Sequence, residues 1–130
     1  PEDMEAGLVT ATKELSWSEG DATRLTFLIA DAPPHVDYTG GVPYTRSALN
    51  AACKGVKIFG VGCSGLEEEG EYTLRQLSQF TMAKYLFLTR GGDSETGGGK
   101  VSASVATYSE KRLDDLIVEQ VQAELGALGK

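Results

Sequence analysis

One uninterrupted apolar run, which ends at an aspartate and a rigid turn, constrains the fold more than any other feature of this sequence. The run covers Leu25 to Ala30, and the turn after it reads Asp31-Ala32-Pro33-Pro34-His35. Such a run is typical of a parallel strand that is buried on both faces. In open α/β sheets, ligands bind just beyond the carboxyl ends of these strands. Asp31 is therefore predicted to lie at a binding edge, as a metal ligand or an acid–base group.

Helical and strand patterns alternate along the chain, which predicts an α/β fold. Strands are predicted over residues 24–30, 56–61 and 84–89, and helices over residues 2–16, 44–54, 71–81 and 110–126. Strands that alternate with helices indicate a parallel sheet with right-handed crossovers. The two helices between strands are then expected on one face of the sheet, and the last helix on the other. The 130 residues fit a single domain, 1–130, with a flexible glycine-rich loop at residues 91–99.

The composition excludes several classes of partner. The net charge is −7 and the isoelectric point is about 4.7, whereas a protein that binds nucleic acid or an anionic membrane normally presents a basic face. No apolar stretch approaches the roughly 20 residues that span a bilayer. Cys53 and Cys63 are interpreted as two unpaired, buried thiols. Unpaired thiols and the absence of a leader-peptide pattern favour a cytoplasmic location.

A family resemblance depends on the order of several segments along the chain. These segments are Pro1-Glu2-Asp3, Leu28 to His35, Ile58-Phe59-Gly60-Val61-Gly62, Leu74-Arg75-Gln76-Leu77, Tyr85 to Thr89 and Arg112-Leu113-Asp114-Asp115-Leu116. Together they resemble strands four to six, with their helices, of a von Willebrand factor type A domain. The resemblance implies a three-layer, Rossmann-like, doubly wound parallel sheet, of which this chain holds only the later half. It also implies a non-enzymatic module for protein binding or adhesion.

The resemblance implies a metal site as well. The family's metal-ion-dependent adhesion site combines an Asp-x-Ser-x-Ser turn, a threonine from a later loop, and an aspartate after the fourth strand. Only that aspartate carries over, onto Asp31, and no Asp-x-Ser-x-Ser occurs in this sequence. Mg²⁺, the cofactor expected of the family, requires several oxygen ligands. This chain alone is therefore predicted to bind Mg²⁺ weakly or not at all.

The partner implied by the resemblance is a protein. Its contact surface is expected in the loops that follow the strands, at residues 31–43, 62–70 and 90–99. In the family fold, strand 25–30 has neighbours on both sides, and here one of them is missing. An unpaired strand edge is a template for another chain, so a homodimer or a complementing chain is predicted along this strand. If the chain is instead a monomer, residues 100–107 are expected to fold back as an extra edge strand.

Two other motifs suggest different functions. Gly60-Val61-Gly62-Cys63-Ser64-Gly65 fits the glycine pattern of a dinucleotide site, but the following glutamates, Glu67 to Glu69, would repel phosphate. The alternative to a binding module is a small α/β cysteine hydrolase, with Cys63 as the nucleophile and His35, the only histidine, as its base. The binding module is the preferred interpretation, so the chain is predicted not to be an enzyme.

Overall fold

The structure, a computed structural model, describes residues 3–35, 40–63, 65–88 and 112–128. Its elements are α1 (Met4–Val9), a π-helical turn (Thr10–Glu14), β1 (Arg24–Ala30), α2 (Tyr44–Cys53), β2 (Val56–Cys63), α3 (Glu68–Phe80), β3 (Leu86–Leu88) and α4 (Leu113–Leu128). The predictions made for residues 89–111, which include the glycine-rich loop and the extra edge strand, lie outside the described residues.

The three described strands form one parallel sheet in the order β1-β2-β3. Phe27 lies beside Phe59 in the register of β1 and β2, and Gly62 lies beside Phe87 in that of β2 and β3. The prediction of an α/β fold with a parallel sheet is confirmed at this level.

The main core lies between one face of the sheet and the helices that connect the strands. β2 contributes Val56 and Ile58, which are both 1% exposed. The other buried members of this cluster are Leu8 from α1, Ala30 from β1, Ala48 and Ala51 from α2, Leu66, and Leu74 and Leu77 from α3. Successive residues of a strand point to opposite faces, so α1, α2 and α3 all pack on the Val56 and Ile58 face.

The opposite face of the sheet carries a pair of aromatic rings and a contact to α4. The rings of Phe27 and Phe59 stack with their centroids 5.0 Å apart. The Nζ atom of Lys57 donates a 2.6 Å hydrogen bond to Oε2 of Glu124 in α4. α4 presents an apolar stripe that is only half-buried and that ends at Leu125, which is 56% exposed. The other members of the stripe are Leu113, Leu116, Ile117 and Val121.

β1 is less buried than its composition predicts. Six of its seven positions are half-buried or exposed, and Ile29 is 46% exposed. The prediction that β1 is buried on both faces is therefore wrong. The reason is its place in the sheet, because among the described residues β1 pairs only with β2.

β2 has both of its edges satisfied, although β3 is short. β3 pairs only with the last part of β2, from Val61 to Cys63. Nearer the start of β2, the backbone N–H of Ile58 donates to Oγ1 of Thr81, and that of Gly60 donates to Oγ of Ser78, both at 2.9 Å. Side chains from the carboxyl-terminal end of α3 therefore complete the edge that β3 does not reach.

Both cysteines are free, as predicted, but neither is buried. Cys53 is exposed and Cys63 is half-buried. The buried residues of α2 are Ser47, Ala48 and Ala51. Cys53, two residues after Ala51, lies on the opposite side of a helix with 3.6 residues per turn. The prediction of two buried thiols is therefore wrong.

α1 and the π-helical turn secure both ends of α2. α2 follows Pro43, which has no side-chain hydrogen bond to the helix. Instead Oε1 of Glu5, a residue only 8% exposed, accepts a 3.1 Å hydrogen bond from the backbone N–H of Tyr44. At the other end, Nζ of Lys54 donates to the backbone carbonyl of Thr12 at 2.5 Å. The single helix predicted over residues 2–16 is thus α-helical only to Val9 and ends at Glu14 as a π-helical turn.

Candidate functional site

The candidate site is the carboxyl edge of the sheet, where β1 and β2 end side by side. Ala30 lies beside Gly62 in the register, so the next residues, Asp31 and Cys63, are neighbours at this edge. Asp31 is exposed, as expected for a residue that follows a strand, while Pro34 in the turn after it is buried. The two prolines fix φ along this turn and limit its freedom. The predicted placement of Asp31 at the carboxyl end of β1 is therefore found.

The thiol of Cys63 is held in its protonated form. Burial raises the pKa of Cys63 above its ordinary value, and the negative charge of Asp31 raises it further. A nucleophilic cysteine requires the reverse, a pKa lowered by a base or a positive charge. His35, the base of the hydrolase alternative, lies exposed beyond the prolines. The surroundings of Cys63 therefore suit a structural thiol better than a catalytic one.

The glycines before Cys63 are explained by close packing. A Cβ atom at Gly60 would lie 2.9 Å from both Cβ and the carbonyl oxygen of Leu74 in α3, and one at Gly62 would collide with the hydroxyl of Tyr85. α3 itself begins at Glu68, and its first turn carries Glu68, Glu69 and Glu71. Carboxylates at a helix start repel phosphate groups, which disfavours the dinucleotide interpretation.

A polar cluster that the sequence did not indicate lies behind Cys63. The guanidinium of Arg75 lies 4.5 Å from the ring centre of Tyr85 and 2.7 Å from Oε1 of Glu71. Burial and then the charge of Glu71 raise the pKa of Tyr85 to about 12, although Arg75 acts in the opposite direction. The Tyr85 hydroxyl is buried and has no hydrogen-bond partner among the described residues. The cluster stabilises a neutral phenol, which cannot serve as a base near neutral pH.

Mg²⁺ does not fit the described residues at this edge. Asp31 supplies one carboxylate, whereas Mg²⁺ takes near-octahedral oxygen coordination. In the described parts of the chain, no three His, Cys, Asp or Glu side chains come together in a way that could hold a metal ion. Any metal bound through Asp31 would need further ligands from outside the described residues.

A groove runs along the outer edge of β1, next to this site. It has a volume of about 220 Å³ and is lined by Asp3, Met4 and Gly7 of the first segment, Leu28, Ile29 and Ala30 of β1, and Ala32 and Pro33 of the turn. Leu28, Ile29 and Ala30 are consecutive, so their side chains point to alternate faces of the sheet. A groove that touches all three must open at the strand edge, and β2 occupies the other edge. The groove therefore marks the edge of β1 that no described residue pairs with, called the free edge of β1 below.

No protein-family model, curated protein or solved structure matches this chain. Among the helices that the structure describes, none is long and apolar enough to cross a membrane.

Proposed function

We propose that this chain is a non-enzymatic protein-binding module that takes a partner polypeptide at the carboxyl end and free edge of β1. The proposal includes the fold that the family resemblance implies, which is the later half of a von Willebrand factor type A domain. The three-stranded parallel sheet with its connecting helices supports that assignment, and so does the exposed Asp31 at the end of β1.

The observation that carries the proposal is the exposure of β1. A seven-residue strand with Ile29 46% exposed, and paired on one side only among the described residues, offers both backbone hydrogen bonds and apolar contact to a partner. Proteins recognise extended peptides in this way, by adding them as a strand to a sheet edge. A second copy of this chain and an unrelated polypeptide are both partners of this type.

The alternative, a cysteine hydrolase that uses Cys63 and His35, receives less support. Its nucleophile would need to ionise near neutral pH, and both burial and Asp31 act against that ionisation. The module proposal requires no chemistry from Cys63.

Selection from a random peptide library tests the proposal. The chain is immobilised, and the enriched peptides are then measured against Ile29→Lys, which places a charge on the exposed part of β1. The matched control is Val118→Lys, because Val118 is 53% exposed but lies in α4. We expect peptides that bind the native chain and Val118→Lys and lose binding to Ile29→Lys. If no peptide is enriched, or if enriched peptides bind both variants equally, the proposal is wrong.

A further inference from the structure

The groove beside β1 has the size of a site for one side chain. Its volume of about 220 Å³ is smaller than the roughly 300–1,000 Å³ of pockets that bury small molecules. A Cβ atom added at Gly7 would have nothing within 4 Å, so the groove is open above α1. A strand added to β1 sends alternate side chains to the α1 side of the sheet. One of these side chains would enter the groove.

The lining of the groove selects a long, positively charged side chain. Met4, Leu28, Ala30 and Pro33 make its walls apolar, and Asp3 is the one charged residue among the described residues that line it. Asp31 follows Ala30 directly and is also exposed. Lysine and arginine bury an aliphatic stem against apolar surface and keep the charged head outside. Here that head would meet the carboxylate of Asp3 rather than water alone, and Asp31 adds negative charge at the end of β1.

We propose that the free edge of β1 binds an extended segment of another protein with a lysine or arginine whose stem fills this groove. The proposal rests on the proposed function and names its class of partner: an apolar strand with a basic residue on the α1 side. The net charge of −7 strengthens the attraction to such a segment over a distance.

A second copy of this chain fits the groove less well. Two chains that each carry a net charge of −7 repel each other. In an antiparallel pair of β1 strands, the groove of one copy faces the start of the partner's β1, where the nearest basic residue is Arg24. The guanidinium of Arg24 already donates to the backbone carbonyls of Ser18, Gly20 and Ala22. Charge complementarity therefore favours a basic segment from a different protein.

Three synthetic peptides test the proposal. Each has eight residues, Thr-Val-Thr-Val-X-Val-Thr-Val, with X as lysine, glutamine or glutamate. Both termini are blocked, a fluorophore is attached, and the outward amides are N-methylated so that the peptide cannot stack on itself. Binding to the full chain is measured by fluorescence anisotropy. We expect the lysine peptide to bind about fivefold tighter than the glutamine peptide, and the glutamate peptide to bind weakest.

Two sets of variants locate the binding. Gly7→Leu fills the groove and is expected to weaken the lysine peptide about tenfold or more. Its control, Gly126→Leu, changes a helical glycine that also has open space, in α4. The double variant Asp3→Asn with Asp31→Asn should remove the preference for lysine over glutamine, while Asp21→Asn, before the other end of β1, should keep it. Asparagine at position 3 still caps α1, so the fold is retained.

The outcomes separate this inference from the proposed function. If the lysine and glutamine peptides bind equally and Gly7→Leu weakens both, the edge is a binding site but the basic class of partner is wrong. Sedimentation that shows a dimer abolished by Gly7→Leu, with no peptide bound, overturns the inference in favour of a second copy. If no peptide binds and the chain sediments as a monomer, both the inference and the proposed function are wrong.

Discussion

β1 and β2 lie side by side in one sheet, yet they differ sharply in burial. Every position of β2 except Lys57 and Cys63 is buried, whereas Ala30 is the only buried position of β1. The two strands are similar in composition, because each has five apolar side chains and one basic residue. The difference shows that burial is decided by what surrounds a strand. β2 has a strand on each side and α3 at close contact, and its glycines allow that contact.

Substitutions in the stacked phenylalanine pair are expected to have the largest effect on stability. Phe59→Ala removes a side chain from a fully buried position and is expected to lower the free energy of unfolding by about 3–5 kcal/mol. Phe27 is half-buried, so Phe27→Ala is expected to lower it by about 1–2 kcal/mol. Urea denaturation measures both values. Equal losses would mean that β1 is as buried in solution as β2, and the contrast between the two strands would fail.

Removal of the hydrogen bond from Gly60 of β2 to Ser78 of α3 is expected to have the next largest effect on stability. Ser78→Ala leaves the buried N–H of Gly60 without its acceptor, which is expected to destabilise the chain by about 1–3 kcal/mol. Thr23→Ala, just before β1, is the control. The Thr23 hydroxyl has no partner among the described residues, so its loss should change stability by less than about 0.5 kcal/mol. Similar effects of the two substitutions would show that α3 does not complete the edge of β2.

Asp31→Asn compares the two strands at their carboxyl ends. Because Asp31 is exposed, the substitution should change the free energy of unfolding by less than about 1 kcal/mol. Burial and then the Asp31 carboxylate raise the pKa of Cys63, so removal of the carboxylate should lower that pKa and speed the alkylation of Cys63 by iodoacetamide near neutral pH. Exposed Cys53 is the internal control and should react at an unchanged rate. Rapid alkylation of Cys63 in the native chain would instead support the hydrolase alternative.

Tyr85→Phe, which tests how closely β2 is covered, should have the smallest effect. The lost hydroxyl has no hydrogen-bond partner in the described part of the chain, so stability at neutral pH should change by less than about 0.5 kcal/mol. The folded chain raises the pKa of Tyr85 from 10.0 to about 12. The stability that the neutral phenol contributes is therefore present below pH 10 and lost as the pH rises toward 12.

Urea midpoints of the native chain and Tyr85→Phe, compared across this pH range, isolate that loss from the other groups that titrate there. The control is Tyr72→Phe, because Tyr72 is 61% exposed. If the midpoints of the native chain and Tyr85→Phe fall in parallel, the phenol does not lie in the buried cluster described above.

The pattern of the sequence predicted the elements better than it predicted which side chains are buried. The bounds of β1 and the start of α2 at Tyr44 agree with the structure, and β1 was recognised from its uninterrupted apolar run. α3 begins at Glu68, three residues earlier than predicted. The acidic residues there are favourable in a first helical turn and could have indicated the earlier start. Phe80 follows the buried Leu74 and Leu77 at the same three-residue spacing, yet it is 55% exposed. Periodicity identifies which face of a helix points to the sheet. It does not show how far along the helix that face is covered by the sheet.

Only one part of the candidate site, Asp31 at the end of β1, was predicted from the sequence. Asp31 was found from the apolar run before it and the prolines after it. Asp31 lies next to Cys63 because of the register between β1 and β2, and no local sequence pattern specifies that register. The same holds for Arg75 over Tyr85 and for the groove at the edge of β1, because both bring together segments that are distant in sequence.

The hydrogen bond from Glu5 to the start of α2 has a consequence for the order of folding. A ten-residue helix is marginal in water by itself, because its first turn is costly to form. α2 depends for its first turn on a carboxylate 39 residues earlier in the chain. The Glu5 carboxylate can accept this hydrogen bond only after the chain between residues 5 and 44 has closed into a loop. The entropic cost of closing the loop therefore comes before the gain in helix stability. α2 is therefore expected to form together with the docking of α1, as one cooperative unit.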